Sequence, residues 1–71
     1  SVSIVAEVSE PGSELVVYDV KGRRVRTLAQ DVPRGRYVLS WNGRDDEGRP
    51  AGSGVYILRL GRAFCKLVLM R

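Results

Sequence analysis

Tyr37-Val38-Leu39-Ser40-Trp41-Asn42-Gly43 is the stretch that sets the class of this fold. Tyr37, Leu39 and Trp41 occupy every second position, the period of a β-strand with one buried face; a helix would need a spacing near 3.6. Asn42-Gly43 ends the run with two residues that tolerate the positive φ of a tight turn. The same pattern continues in both directions. Upstream, Val2, Ile4, Ala6 and Val8 alternate with Ser3, Val5 and Glu7, and Glu10-Pro11-Gly12-Ser13 then turns the chain. Leu15 to Val20 is apolar on both faces apart from Asp19, which predicts a central strand. Lys21-Gly22 leads into Arg24 to Leu28, where the inward candidates Val25 and Leu28 lie three apart; that spacing predicts a β-bulge or a short strand.

Downstream, Asn42 to Gly54 holds four glycines and Pro50 and is the longest loop. Val55 to Leu60 resumes strand character, with Tyr56, Leu58 and Leu60 on one face. Gly61-Arg62 turns, and Phe64 to Met70 closes the chain, with Cys65, Leu67 and Leu69 opposite Phe64, Val68 and Met70. Strands recurring roughly every 10 to 15 residues without a helical segment predict an all-β, immunoglobulin-like antiparallel β-sandwich of about six to seven strands, a single domain over residues 1–71. The expected core is Tyr37, Leu39, Trp41, Tyr56, Leu58 and Leu60, joined by Cys65 as a small apolar residue.

Composition narrows the chemistry. A chain of 71 residues buries only about 60% of its unfolded surface, so small domains lean on disulfides, metals or neighbours. Cys65 is the single cysteine and there is no histidine. An internal disulfide, a Cys/His zinc site and a histidine-based catalytic triad are therefore excluded. Net charge is +4, with arginine supplying ten of the twelve basic residues. Those residues interleave with eight acids, as on a solvated surface, and no nucleic-acid partner is expected. No apolar run reaches the ~20 residues of a membrane-spanning helix. Ser1 opens no signal-peptide pattern, so a secreted form is expected to be a processed or partial chain.

Asn42-Gly43-Arg44-Asp45-Asp46-Glu47-Gly48 clusters oxygen donors with glycine, as calcium loops do. Its spacing is not that of an EF-hand, and Arg44 sets a positive charge inside it. The favoured reading is a pair of tight turns, at Asn42-Gly43 and Glu47-Gly48, whose carboxylates accept backbone N–H bonds. Neither cofactor nor metal is expected. Nor is a catalytic residue: Asp45 and Asp46 lack an apolar pocket that would tune a carboxyl for acid–base work. Arg23, Arg24, Arg26, Arg34 and Arg36 gather near two turns, but Tyr37 and Trp41, which would have to stack bases or sugars, fall on the predicted buried face.

Two blocks carry a family resemblance. Leu15 to Leu28, with Tyr18-Asp19, Gly22, Val25 and Leu28, resembles the opening shared by the immunoglobulin-like domain of the flagellar hook-capping protein and the type A C-terminal sorting domain of type IX secretion. Gly35, Trp41-Asn42-Gly43-Arg44-Asp45, Gly48 and Gly54-Val55-Tyr56-Ile57-Leu58-Arg59-Leu60 resemble the second block of those families, with Asn42 where aspartate is usual. Lys66-Leu67-Val68-Leu69-Met70-Arg71 resembles the basic-apolar tail of sorting domains. The resemblance implies a non-enzymatic module in which Trp41, Asn42, Gly43, Asp45, Gly48, Gly54 and Tyr56 build turns and core.

The leading expectation is a secretion and cell-surface sorting module of an exported bacterial protein. Its partner would be the secretion machinery or a host polypeptide, contacted through Phe64, Lys66, Leu67, Val68, Leu69, Met70 and Arg71 by strand-edge pairing. The chain ending at Arg71 just after that strand favours this over the hook-capping scaffold. A self-assembling subunit of an extracellular filament or sheath, homo-oligomeric through its edge strands, is the alternative. An accessory carbohydrate-binding module would need exposed rings among Tyr18, Tyr37, Trp41 and Tyr56.

Overall fold

A computed structural model describes residues 2–70 as six strands without a helix: β1 (Val2–Val8), β2 (Ser13–Asp19), β3 (Arg24–Val32), β4 (Gly35–Trp41), β5 (Gly54–Leu60) and β6 (Ala63–Leu69). They form two antiparallel sheets, a pair β1-β4 and a four-stranded sheet in the order β3-β2-β5-β6. This is the sandwich that the alternating pattern predicts. β2 lies in the middle of the larger sheet, as its two-sided apolar run requires.

The core between the sheets takes Ile4, Ala6 and Val8 from β1, Leu15 and Val17 from β2, and Trp41 from β4. Val32 of β3, Tyr56 and Leu58 of β5, and Leu67 and Leu69 of β6 complete it. Tyr37, Leu39 and Leu60 pack against this cluster half-buried. Trp41 is only 1% exposed, and burying a side chain of that size contributes several kcal/mol in a domain this small, about 3 to 5 by truncation.

The spacing of Val25 and Leu28 has a specific origin. Val16 pairs with Thr27 but Leu15 with Ala29, and Val17 pairs with Arg26 but Tyr18 with Arg24. Leu28 and Val25 are thus each an extra residue in β3, and both pack against the core. Two bulges let residues three apart face inward together.

Cys65 departs from expectation. Its alternation phase is that of Leu67 and Leu69, yet it is exposed. With strands about 4.8 Å apart, two strands cannot cover the full width of four. β6 is the outermost strand of the larger sheet, and Ala63 and Cys65, at its start, escape the cover that Leu67 and Leu69 receive.

Candidate functional site

Chain turns build the two ends of this molecule, and one turn design occurs twice. Asp19 Oδ1 accepts the N–H groups of Lys21 and Arg23, each at 2.9 Å, while its Oδ2 meets Arg23 Nε at 3.0 Å. Asp45 Oδ1 accepts the N–H groups of Glu47 and Arg49, again at 2.9 Å, while its Oδ2 lies 3.4 Å from Arg49 Nε. The backbone repeats as well: Gly22 N donates to Asp19 O and Gly48 N to Asp45 O, both at 3.0 Å, with φ of 84° and 81° at the two glycines. Asp-x-x-Gly-Arg is the shared sequence, at residues 19–23 and 45–49; five residues with two variable positions are too short a signal to mark a repeat by themselves. The Arg23 backbone N–H chiefly holds the Asp19 carboxyl below its ordinary range, against the opposing effect of desolvation; the Arg49 backbone N–H does the same for Asp45.

The acidic loop is therefore a bonded turn structure. Asn42 Oδ1 accepts the Arg44 N–H at 3.0 Å, Ala51 N donates to Gly43 O, and Arg44 bridges to Pro50. Asp46 anchors the loop to β3: its N–H donates to Val25 O at 2.9 Å, and its Oδ1 accepts the Thr27 N–H at 3.0 Å. Arg26 Nη1 adds a bond to Asp45 O at 3.1 Å. The carboxylates of Asp45 and Asp46 are engaged by backbone donors and arginines, which is the turn chemistry expected of them. Gly54 opens β5 at a φ of 149°.

The arginines do not converge. Arg23 pairs with Asp19, Arg26 with Asp46, Arg34 with Ser9 O and Arg36 with Glu7. The rings offer no platform either. Trp41 and Tyr56 lie in the core, Tyr37 donates its hydroxyl to Pro33 O, and the Arg59 guanidinium covers Tyr18 at 5.5 Å from the ring centroid.

Exposed apolar side chains stand on the outer faces of both sheets, Val5 and Val38 on the smaller one, and the two edges of the larger sheet differ from each other. The edge at β3 is irregular, with three register shifts against β2, and the loop bonded through Asp46 blocks part of it. The edge at β6 has neither device: its seven residues pair with β5 in unbroken register from Gly54↔Leu69 to Leu60↔Ala63. Of the residues expected to make contacts, Leu67 and Leu69 are committed to the core. Phe64, Lys66, Val68 and Met70 are exposed, and Arg71 lies outside the described residues. Phe64 is 68% exposed and Met70 83%. On the neighbouring strand Val55 and Ile57 share the outer face, opposite Val68 and Lys66.

The turn and core residues of both motif blocks thus hold the sandwich together, and the profile of the FlgD Ig-like domain matches residues 1–61. The chain belongs to that family. Among curated proteins and among solved structures, none matches it. The matched segment of the FlgD Ig-like domain contains β1 to β5, both Asp-x-x-Gly-Arg turns and the Trp41–Tyr56 pair, while β6 follows it.

Proposed function

We propose that this FlgD Ig-like domain is a non-enzymatic docking module of an exported bacterial protein, and that β6 is the strand by which it joins a partner polypeptide. The contrast between the two edges of the larger sheet carries this reading. Natural sheets blunt exposed edges with bulges, charges or covering loops, because an open row of N–H and C=O groups recruits another strand. β3 has a bulged, loop-bonded edge; β6 is regular and carries exposed Phe64 and Val68, with Lys66 between them as its one charge.

Family membership favours a scaffold domain of a flagellar hook-capping protein as the setting. The make-up of β6 favours a second setting, a C-terminal module that secretion machinery recognises and delivers to the cell surface. The sorting-tail resemblance rests on the run from Lys66 to Arg71, of which Lys66, Val68 and Met70 are exposed.

The test is an exported reporter fused ahead of this domain in a bacterium with type IX machinery, beside binding of the domain to purified hook subunit. Surface delivery lost in Phe64→Asp and Val68→Asp, both folded by circular dichroism, supports docking through β6 in the sorting setting. Hook-subunit binding lost in the same variants supports it in the hook-capping setting. A signal in either assay that is indifferent to both substitutions, or the absence of both delivery and binding, refutes it.

A further inference from the structure

The outer face beside the β6 edge has a definite chemistry. Cross-strand register lines up Lys66, Ile57, Tyr18 and Arg24 in one row, and Phe64, Arg59, Val16 and Thr27 in the next. Val16 is fully buried yet outside the core cluster. The face is thus apolar with three cations, Arg24, Arg59 and Lys66. Its acid, Glu14, already meets Arg59 Nη2 at 3.4 Å. Arg59 Nε is buried without an acceptor. Lys66 is exposed and makes no ion pair among the described residues.

This charge pattern selects the occupant. Two copies stacked by this face would oppose cations to cations. Two β6 strands paired so that Phe64 meets Val68 would set Lys66 directly against its own copy, and like charges directly opposite are destabilising. A strand bearing an acid meets neither obstacle. Side chains of an added strand alternate, so those on the outer face would stand beside Phe64, Lys66 and Val68.

We infer that β6 accepts, as a fifth strand of the larger sheet, an extended acidic–apolar polypeptide segment of the pattern apolar-x-acidic-x-apolar. The acid lies beside Lys66 and the apolar residues beside Phe64 and Val68. The pattern reads the same in both directions, so it suits a parallel or an antiparallel strand. The intervening x side chains fall on the other face, beside Cys65 and Leu67. This inference rests on the reading of β6 as a docking edge and adds to it the class of partner.

Three fluorescent heptapeptides test it, with isoleucine at the second and sixth positions, threonine elsewhere, and aspartate, serine or lysine at the centre. Anisotropy at low salt should rank them aspartate, serine, lysine, with about five-fold or more between the ends, and the spread should shrink with added salt. Amide shifts should centre on β5 and β6. Lys66→Glu should reverse the ranking, and Lys66→Gln should flatten it; a reversal cannot come from misfolding. Equal binding of all three peptides at β6 overturns the acidic preference and leaves the docking edge standing. Shifts elsewhere, or no binding by any peptide, overturn both. Self-association at β6 that outcompetes the peptides also overturns the inference, in favour of a second copy.

Discussion

Trp41 stands edge-on to Tyr56, with ring centroids 5.1 Å apart and planes at 74°, and the two rings hold opposite ends of the longest loop. Trp41 Nε1 donates to Arg44 O at 2.9 Å, and the Tyr56 hydroxyl donates to Gly52 O at 2.6 Å. The pair therefore joins the core to the loop that is bonded to β3 through Asp46. Edge-to-face aromatic pairs add about 0.5 to 1.5 kcal/mol beyond their area.

Tyr56→Phe keeps the ring and removes one hydrogen bond, so urea unfolding should show a loss of about 1 kcal/mol. Trp41→Ala removes ring, aromatic pair and bond together. Its cost of about 3 to 5 kcal/mol is a large part of the roughly 4 to 11 expected for a domain this size, and the variant should unfold at a much lower urea concentration than Tyr56→Phe. A Tyr56→Phe variant as damaged as Trp41→Ala would show that the hydroxyl, not the rings, dominates.

Asp19 and Asp45 should make the fold acid-sensitive. Each has a native pKa below its unfolded value, so the native state binds fewer protons than the unfolded one in that window. The stability they confer is complete above the ordinary carboxylate range, about pH 4, and is lost as pH falls through their lower native values. Asp19→Asn and Asp45→Asn should each lower stability at neutral pH and flatten the acid limb of a stability–pH curve. An acid limb that survives in the double Asn variant would assign the sensitivity to other carboxylates.

Much of this was legible because a half-buried sheet writes its faces into a two-residue period. The β1 residues Ile4, Ala6 and Val8 are buried and Ser3, Val5 and Glu7 exposed, as read from alternation. Even the bulges left a trace, in the three-residue spacing of Val25 and Leu28. What alternation cannot convey is how wide the opposite sheet is. Cys65 has the right phase but stands where two strands no longer cover four. The edge contrast was also hidden, because Asp46 reaches β3 through contacts distant in sequence, and no local pattern marks which edge a loop will bond.

The twin turns can be tested through their glycines. Gly22 and Gly48 have φ above 80° with open space where a Cβ would sit, so an added methyl meets conformational strain rather than a clash. Gly22→Ala and Gly48→Ala should each cost about 1 to 2 kcal/mol, and asparagine at either site less, since it tolerates this region better. Gly52 has equal space but no left-handed φ. Gly52→Ala should be neutral or stabilising, by up to about 1 kcal/mol. Equal losses at all three positions in thermal denaturation would mean that space, not φ, governs these loops.

Cys65 offers a direct check on how far the smaller sheet reaches. A core thiol reacts only when the domain opens, so its labelling rate falls with the unfolding equilibrium. Exposed Cys65 should react with an aromatic disulfide reagent in native buffer within a few-fold of its rate in urea, and the native rate should not change in the Tyr56→Phe background. Cys65→Ser should leave the urea midpoint nearly unchanged, because an exposed hydroxyl keeps its water, whereas Leu67→Ser two residues along should cost several kcal/mol through lost burial and an unpaired hydroxyl. Protection of Cys65 that tracks global stability would mean that something covers the start of β6, and the free edge would then be shorter than seven residues.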